Sequence, residues 1–75
     1  MRNALLHLSA GHQHLVRRQL QLRREISTQR ATIHRARRVG ESRGVIARLA
    51  DELRRLELEM ADVTSAVQQQ RREVA

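Results

Sequence analysis

Apolar side chains recur along this chain at alternating separations of three and four residues, the spacing that gathers them on one face of an α-helix. From Leu5 the series runs through Leu8, His12, Leu15, Gln19, Leu22, Ile26, Gln29, Ile33 and Ala36, with His12, Gln19 and Gln29 as its polar members. A second series follows: Ile46, Leu49, Leu53, Leu56, Met60, Val63, Val67, Gln70 and Val74, in which only Gln70 is polar. Each series is long enough for a many-turn amphipathic helix, so two helices are predicted.

The stretch Val39-Gly40-Glu41-Ser42-Arg43-Gly44 separates them. Gly40 is suited to the left-handed conformation just past a helix end, and Ser42 to capping the next helix start. Arg35, Arg37 and Arg38 before Gly40 complement the negative end of the first helix dipole. The GxxxG spacing of Gly40 and Gly44 carries no membrane meaning outside a long apolar segment. Gly11 would cost about 1 kcal/mol inside a helix, so residues 1–11 are expected to be frayed or loosely helical. Regular helix is then expected over 12–39, a turn over 40–44 and a second helix over 45–74, in a single domain. A connection this short makes neighbouring helices antiparallel. The predicted fold class is therefore all-α, an antiparallel, coiled-coil-like two-helix hairpin.

One fold-back register aligns both series. When facing positions sum to 82, Ala36 meets Ile46, Ile33 meets Leu49, Gln29 meets Leu53, Ile26 meets Leu56 and Leu22 meets Met60. Gln19 then meets Val63, Leu15 meets Val67, and His12 and Gln70 form a polar layer near the open end. The expected core is Leu15, Leu22, Ile26 and Ile33 against Ile46, Leu49, Leu53, Leu56, Met60, Val63 and Val67. Arg23 and Glu57 are expected to pair beside it, while Glu25 faces Glu59 and Arg37 faces Arg43. Exposed pairs are worth only about 0–1 kcal/mol, so the apolar seam sets the register. Gln19 and Gln29, opposite Val63 and Leu53, either mark the register or, in the preferred reading, turn their amides to solvent. Gln29→Leu is expected to stabilise the hairpin by about 1 kcal/mol, by removing an amide opposite Leu53, while loosening oligomer choice.

Composition narrows the function classes. The 75 residues include no Cys, Pro or aromatic side chain, which excludes disulfide scaffolds, Cys-based zinc sites and base-stacking platforms. Alanine supplies nine of the 30 apolar residues, leaving little with which to build an independent globule. No stretch approaches the ~20 apolar residues of a membrane span. The opening Met1 to Gly11 has an apolar run of about five residues, short of the ~7–15 of a signal peptide. A cytoplasmic chain is expected.

All 15 basic residues are Arg, against eight acids, for a net charge of +7. Residues 1–40 hold nine Arg and one acid, and residues 41–75 hold six Arg and seven acids, so the first helix is the basic one. Arg17, Arg18, Arg23, Arg24, Arg30, Arg35, Arg37 and Arg38 could neutralise phosphates, with the first four as the candidate contacts, as in the Rop-type dimeric hairpins that grip RNA. His7, His12, His14 and His34 lack the i, i+4 or Cys/His spacing of a zinc site. No Cys or Lys nucleophile is present, and no Ser or Thr has a His and acid in a recognisable arrangement. Neither catalysis, a cofactor, a metal nor a small-molecule substrate is expected.

Apolar residues outside the seam, Leu6, Val16 and Leu20 on the first helix with Val45 and Leu58 on the second, suggest a further interface, either with a protein partner or through self-association. Val16 and Leu20 are four apart and share a face. The length, the single helical hairpin with its glycine-flanked turn, the absence of aromatic residues and this spare stripe, from about Leu15 to Val67, resemble the small E-component co-chaperones of type III secretion needles, the YscE type. The resemblance implies a bacterial cytosolic protein that docks on a helical-repeat chaperone and helps hold a needle subunit soluble. It carries over no individual functional residue. A coiled-coil scaffold or secretion-stalk role fits the same pattern.

The register is directly testable. Leu22→Cys combined with Met60→Cys is expected to crosslink within one chain on oxidation at low protein concentration. Predominantly intermolecular products, read on a non-reducing gel, would instead indicate extended helices or a swapped dimer.

Overall fold

A computed structural model describes residues 2–74 of the chain, and side-chain surroundings for residues 11–73. Helix α1 runs Arg2–Arg38 and α2 runs Arg43–Val74, packed along each other as an all-α hairpin. The seam side chains expected of Leu5, Leu8 and Val74 lie outside the described residues. Helix α1 begins at Arg2 rather than near His12, so Gly11 lies within it. A penalty of about 1 kcal/mol for one internal glycine is small against the cooperative gain of a 37-residue helix. A Cβ at Gly11 would lie 3.6 Å from Gln70 Nε2, an ordinary contact, so glycine is not required there by space.

The reversal is closed by two cooperating devices. Gly40 is the sole residue with positive φ among those described, at 75°. Around it Glu41 N–H donates to the Ala36 carbonyl at 2.9 Å and Gly40 N–H to Arg37 at 3.2 Å. These are the two bonds of a Schellman end, satisfying carbonyls that the helix itself leaves free. Ser42 then caps α2: its Oγ accepts from Val45 N–H at 3.2 Å, and its carbonyl accepts from Ile46 N–H at 3.1 Å. Helix α2 therefore starts at Arg43, and Gly44 belongs to its first turn rather than to the connection.

Contacts across the interface fix the register. The position sums of the cross-helix pairs Arg18–Glu59, Gln29–Leu49, Gln19–Thr64 and Arg30–Glu57 run from 77 to 87, on either side of 82. Burial follows the seam but is thin. Leu22 is fully buried, and Ile26, Ile33, Ala36 and Val67 are nearly so. Leu15, Ile46, Leu49, Leu53, Leu56, Met60 and Val63 occupy seam positions yet remain half-buried. Two helices form a single layer, so a seam side chain is covered by the facing helix while its flanks stay open to solvent.

The result is a rod of 59 × 15 × 13 Å with a radius of gyration of 17.1 Å. A compact chain of this length would have a radius near ~11 Å. Its accessible surface is 6367 Å², against roughly 4,700 Å² for a compact monomer of the same mass.

The turn makes opposite predictions for its two glycines. Gly40→Ala is expected to cost about 1–2 kcal/mol, because a Cβ is disfavoured at positive φ. Gly44→Ala should stabilise by about 0.5–1 kcal/mol, since the position is helical and the nearest atom to the new methyl, Ser42 Oγ, is 4.0 Å away. Urea midpoints of the two variants, followed by circular dichroism, check both signs.

Candidate partner-binding edges

The seam divides the rest of the surface into two edges and two backs. On α1, Val16, Arg23, Arg30 and Arg37 recur every seven residues just beyond the seam, with Gln13, Leu20, Ser27 and His34 outside them. On α2 the corresponding positions are Ala50, Glu57, Thr64 and Arg71, with Ala47, Arg54, Ala61 and Gln68 outside them. An ion pair of 3.2 Å between Arg30 and Glu57, and a 3.0 Å hydrogen bond from Gln19 Nε2 to Thr64 Oγ1, place these two sets on the same side of the hairpin. This is the Val16 edge.

The opposite, Glu59 edge is joined by a two-pronged contact from Arg18 to Glu59, in which Nε donates at 2.9 Å and Nη2 bonds the same carboxylate oxygen. An open groove of about 640 Å³ runs along it, with Arg18, Glu25, Thr28, Glu52, Arg55 and Glu59 among its walls. Arg55 also pairs with Glu52 at 2.6 Å along α2.

Charge is divided between the edges. The Val16 edge carries five guanidinium groups, on Arg23, Arg30, Arg37, Arg54 and Arg71, against the one carboxylate of Glu57. Among the described residues the Glu59 edge carries Arg18, Arg35, Arg48 and Arg55 against Glu25, Glu52, Glu59, Asp62 and Glu73. One edge is therefore strongly basic, and the other is nearly neutral with a slight acidic excess.

The pairing differs from the sequence expectation. Glu57 meets Arg30, one heptad further along α1 than Arg23, because a carboxylate at this edge lies between two Arg positions and the long guanidinium arm spans the diagonal. Glu59 meets Arg18 rather than standing unrelieved opposite Glu25. The seam amides do not turn to solvent either. Gln29 Nε2 donates to the Leu49 carbonyl at 3.0 Å and Gln19 Nε2 to Thr64, so each bonds across the interface. With its partner identified, Gln29→Leu loses a hydrogen bond and the expected gain of about 1 kcal/mol is cancelled. Gln70 packs beside Gly11, and its Oε1 is buried with no partner among the described residues.

The five spare apolar residues do not form one patch. Val16 and Leu20 lie together on the basic edge, with Leu20 48% exposed. Val45 is half-buried on the opposite edge, Leu58 is 62% exposed on the outer back of α2, and the Leu6 side chain lies outside the described residues. The candidate phosphate contacts are likewise divided. Arg17 and Arg24 share the back of α1, Arg18 is held by Glu59, and Arg23 lies on the Val16 edge. Confining the candidate Arg residues to α1 overlooked Arg54 and Arg71. The seven-residue recurrence of Arg23, Arg30 and Arg37 was the signal that would have found the edge.

No protein-family model, curated protein or solved structure matches this chain. Among the described residues no three His, Asp or Glu side chains gather in a way that could hold a metal ion, and no helix is long and apolar enough to cross a membrane.

The cross-helix amide bond has a measurable worth. In a double-mutant cycle of Gln19→Ala and Thr64→Ala, the coupling is expected to be about 0.5–1.5 kcal/mol in favour of the native pair. A coupling indistinguishable from zero in urea unfolding would place Gln19 in solvent.

Proposed function

We propose that this chain is a helical protein-binding module, a preformed hairpin that presents its helix faces to another protein. The observation that carries the reading is the mismatch between surface and core. The chain exposes 6367 Å², roughly 1,600 Å² more than a compact monomer of its mass, while its helices share a single apolar seam with a few polar contacts beside it. An excess of that size is comparable with the total area buried in a standard protein interface.

In its narrower form the module is a cytoplasmic co-chaperone of type III secretion. It docks on a helical-repeat chaperone, and the pair keeps a needle subunit soluble before export. Support for this form comes from the pattern resemblance: chain length, a lone hairpin, the glycine-flanked turn and the lack of aromatic side chains. Catalysis and cofactor chemistry have no place in this reading.

Isolation of the tagged chain from its native cell tests it. A stoichiometric helical-repeat protein that raises the hairpin's unfolding temperature supports the narrow form, and any other stoichiometric protein with that effect supports only the broad one. Co-isolation of RNA without protein, released by salt, would replace both with the Rop-like alternative. A monomer that unfolds cooperatively and retains no macromolecule would contradict the proposal.

A further inference from the structure

We infer that the Val16 edge is the docking face, and that its partner is an amphipathic helix with acidic residues flanking its apolar stripe. The inference rests on the protein-binding reading and adds the edge used and the chemistry of what covers it.

The edge has an apolar centre and a basic border. Val16 and Leu20 form its raised part on α1, and Ala61 and Thr64, level with them on α2, are small enough to leave a shallow ledge. Leu20 is 48% exposed, so apolar surface remains for a partner to cover. Of the border charges, Arg30 is engaged by Glu57, whereas Arg23, Arg37, Arg54 and Arg71 have no ion pair among the described residues.

Spacing gives the complementarity its geometry. Arg23, Arg30 and Arg37 succeed one another every seven residues, which is about 10.5 Å along a helix. A partner helix with Glu or Asp at one heptad position beside its apolar stripe repeats its carboxylates at that same interval. Such a helix sets carboxylates against the free guanidinium groups while its own Leu or Ile side chains cover Leu20.

The alternatives match the edge less well. A second copy docking by this edge in a two-fold dimer would bring its Arg border against the same border, and like charges facing across an interface are costly. A nucleic acid would find phosphate contacts, but it would leave Val16 and Leu20 against a charged backbone, and the chain has no aromatic side chain on which a base could stack.

Fluorescence anisotropy with synthetic peptides tests the inference. The probe is a helical peptide of about three heptads with Leu at a and d and Glu at e and g. Its counterpart with Lys for Glu and a short RNA duplex are the comparisons. The intact chain should bind the Glu peptide in preference to both, more weakly as salt rises. Arg23→Glu with Arg54→Glu should weaken binding at least about tenfold, and so should Leu20→Asp. Arg17→Glu with Arg24→Glu makes the same charge change on the back of α1 and should alter it by less than about threefold. Circular dichroism verifies that each variant keeps its helicity.

Equal losses from the two Arg pairs, or no loss from Leu20→Asp, would overturn the edge assignment. Tighter binding of the duplex or of the Lys peptide would overturn the acidic-helix assignment. If these peptides fail while a native protein partner is still retained, and Leu58→Asp rather than Leu20→Asp releases it, this inference falls and the protein-binding reading stands.

Discussion

Everything in this molecule depends on one apolar seam. Leu22, Ile26, Ile33 and Ala36 of α1 and Val67 of α2 are the side chains that two helices, unaided by a third, withdraw from water. The glycine cap, the serine cap and the ion pairs refine a geometry that the seam has already imposed. A cap contributes about 1 kcal/mol and an exposed ion pair about 0–1 kcal/mol, whereas burying one Leu or Ile side chain contributes about 1.5–3 kcal/mol. The seam also explains the shape. A single stripe per helix is satisfied by side-by-side packing over the full length, so the chain becomes a rod 59 Å long instead of a globule.

The same constraint creates the edges. Residues flanking a single seam are half-covered by the facing helix and half-open on the outside, so they can contribute to internal pairing and still meet a partner. Arg18 and Arg30 are used internally, each bridging to α2 through a glutamate. Arg23, Arg37, Arg54 and Arg71 are not, and they lie with Val16 and Leu20. Four Arg residues without an ion pair among the described residues thus share an edge with the exposed Leu20. The opposite edge sets Glu25, Glu52 and Glu59 beside Arg18 and Arg55 around an open groove. One hairpin accordingly presents two chemically different sides.

Much of the fold was legible in the residues, because hydrophobic spacing, Gly40 and Ser42 each act through local chemistry that a linear pattern preserves. The repeated three-four spacing identified both helices, and the fold-back sum of 82 identified their alignment. What was not legible depends on reach and competition. Glu57 could meet Arg23 or Arg30, and sequence position does not say which arm spans the groove. Gln29 could enter solvent or find a carbonyl, and only packing against α2 brings the Leu49 oxygen within 3.0 Å. Gly11 looked like a helix boundary by propensity, yet long-range cooperativity carries α1 through it. The candidate site was legible only in part. Val16 and Leu20 were recognisable as a pair, but their separation from Val45 and Leu58 needed the relative placement of both helices.

The central claim is that the two seams satisfy each other within one chain, leaving the edges free. Small-angle X-ray scattering at low protein concentration measures this most directly. The folded hairpin predicts a monomer mass and a radius of gyration near the 17.1 Å of the structure. A dimer mass with a radius near ~32 Å, the value for continuous straight helices about 112 Å long, would show that the seams pair between chains and would contradict the account.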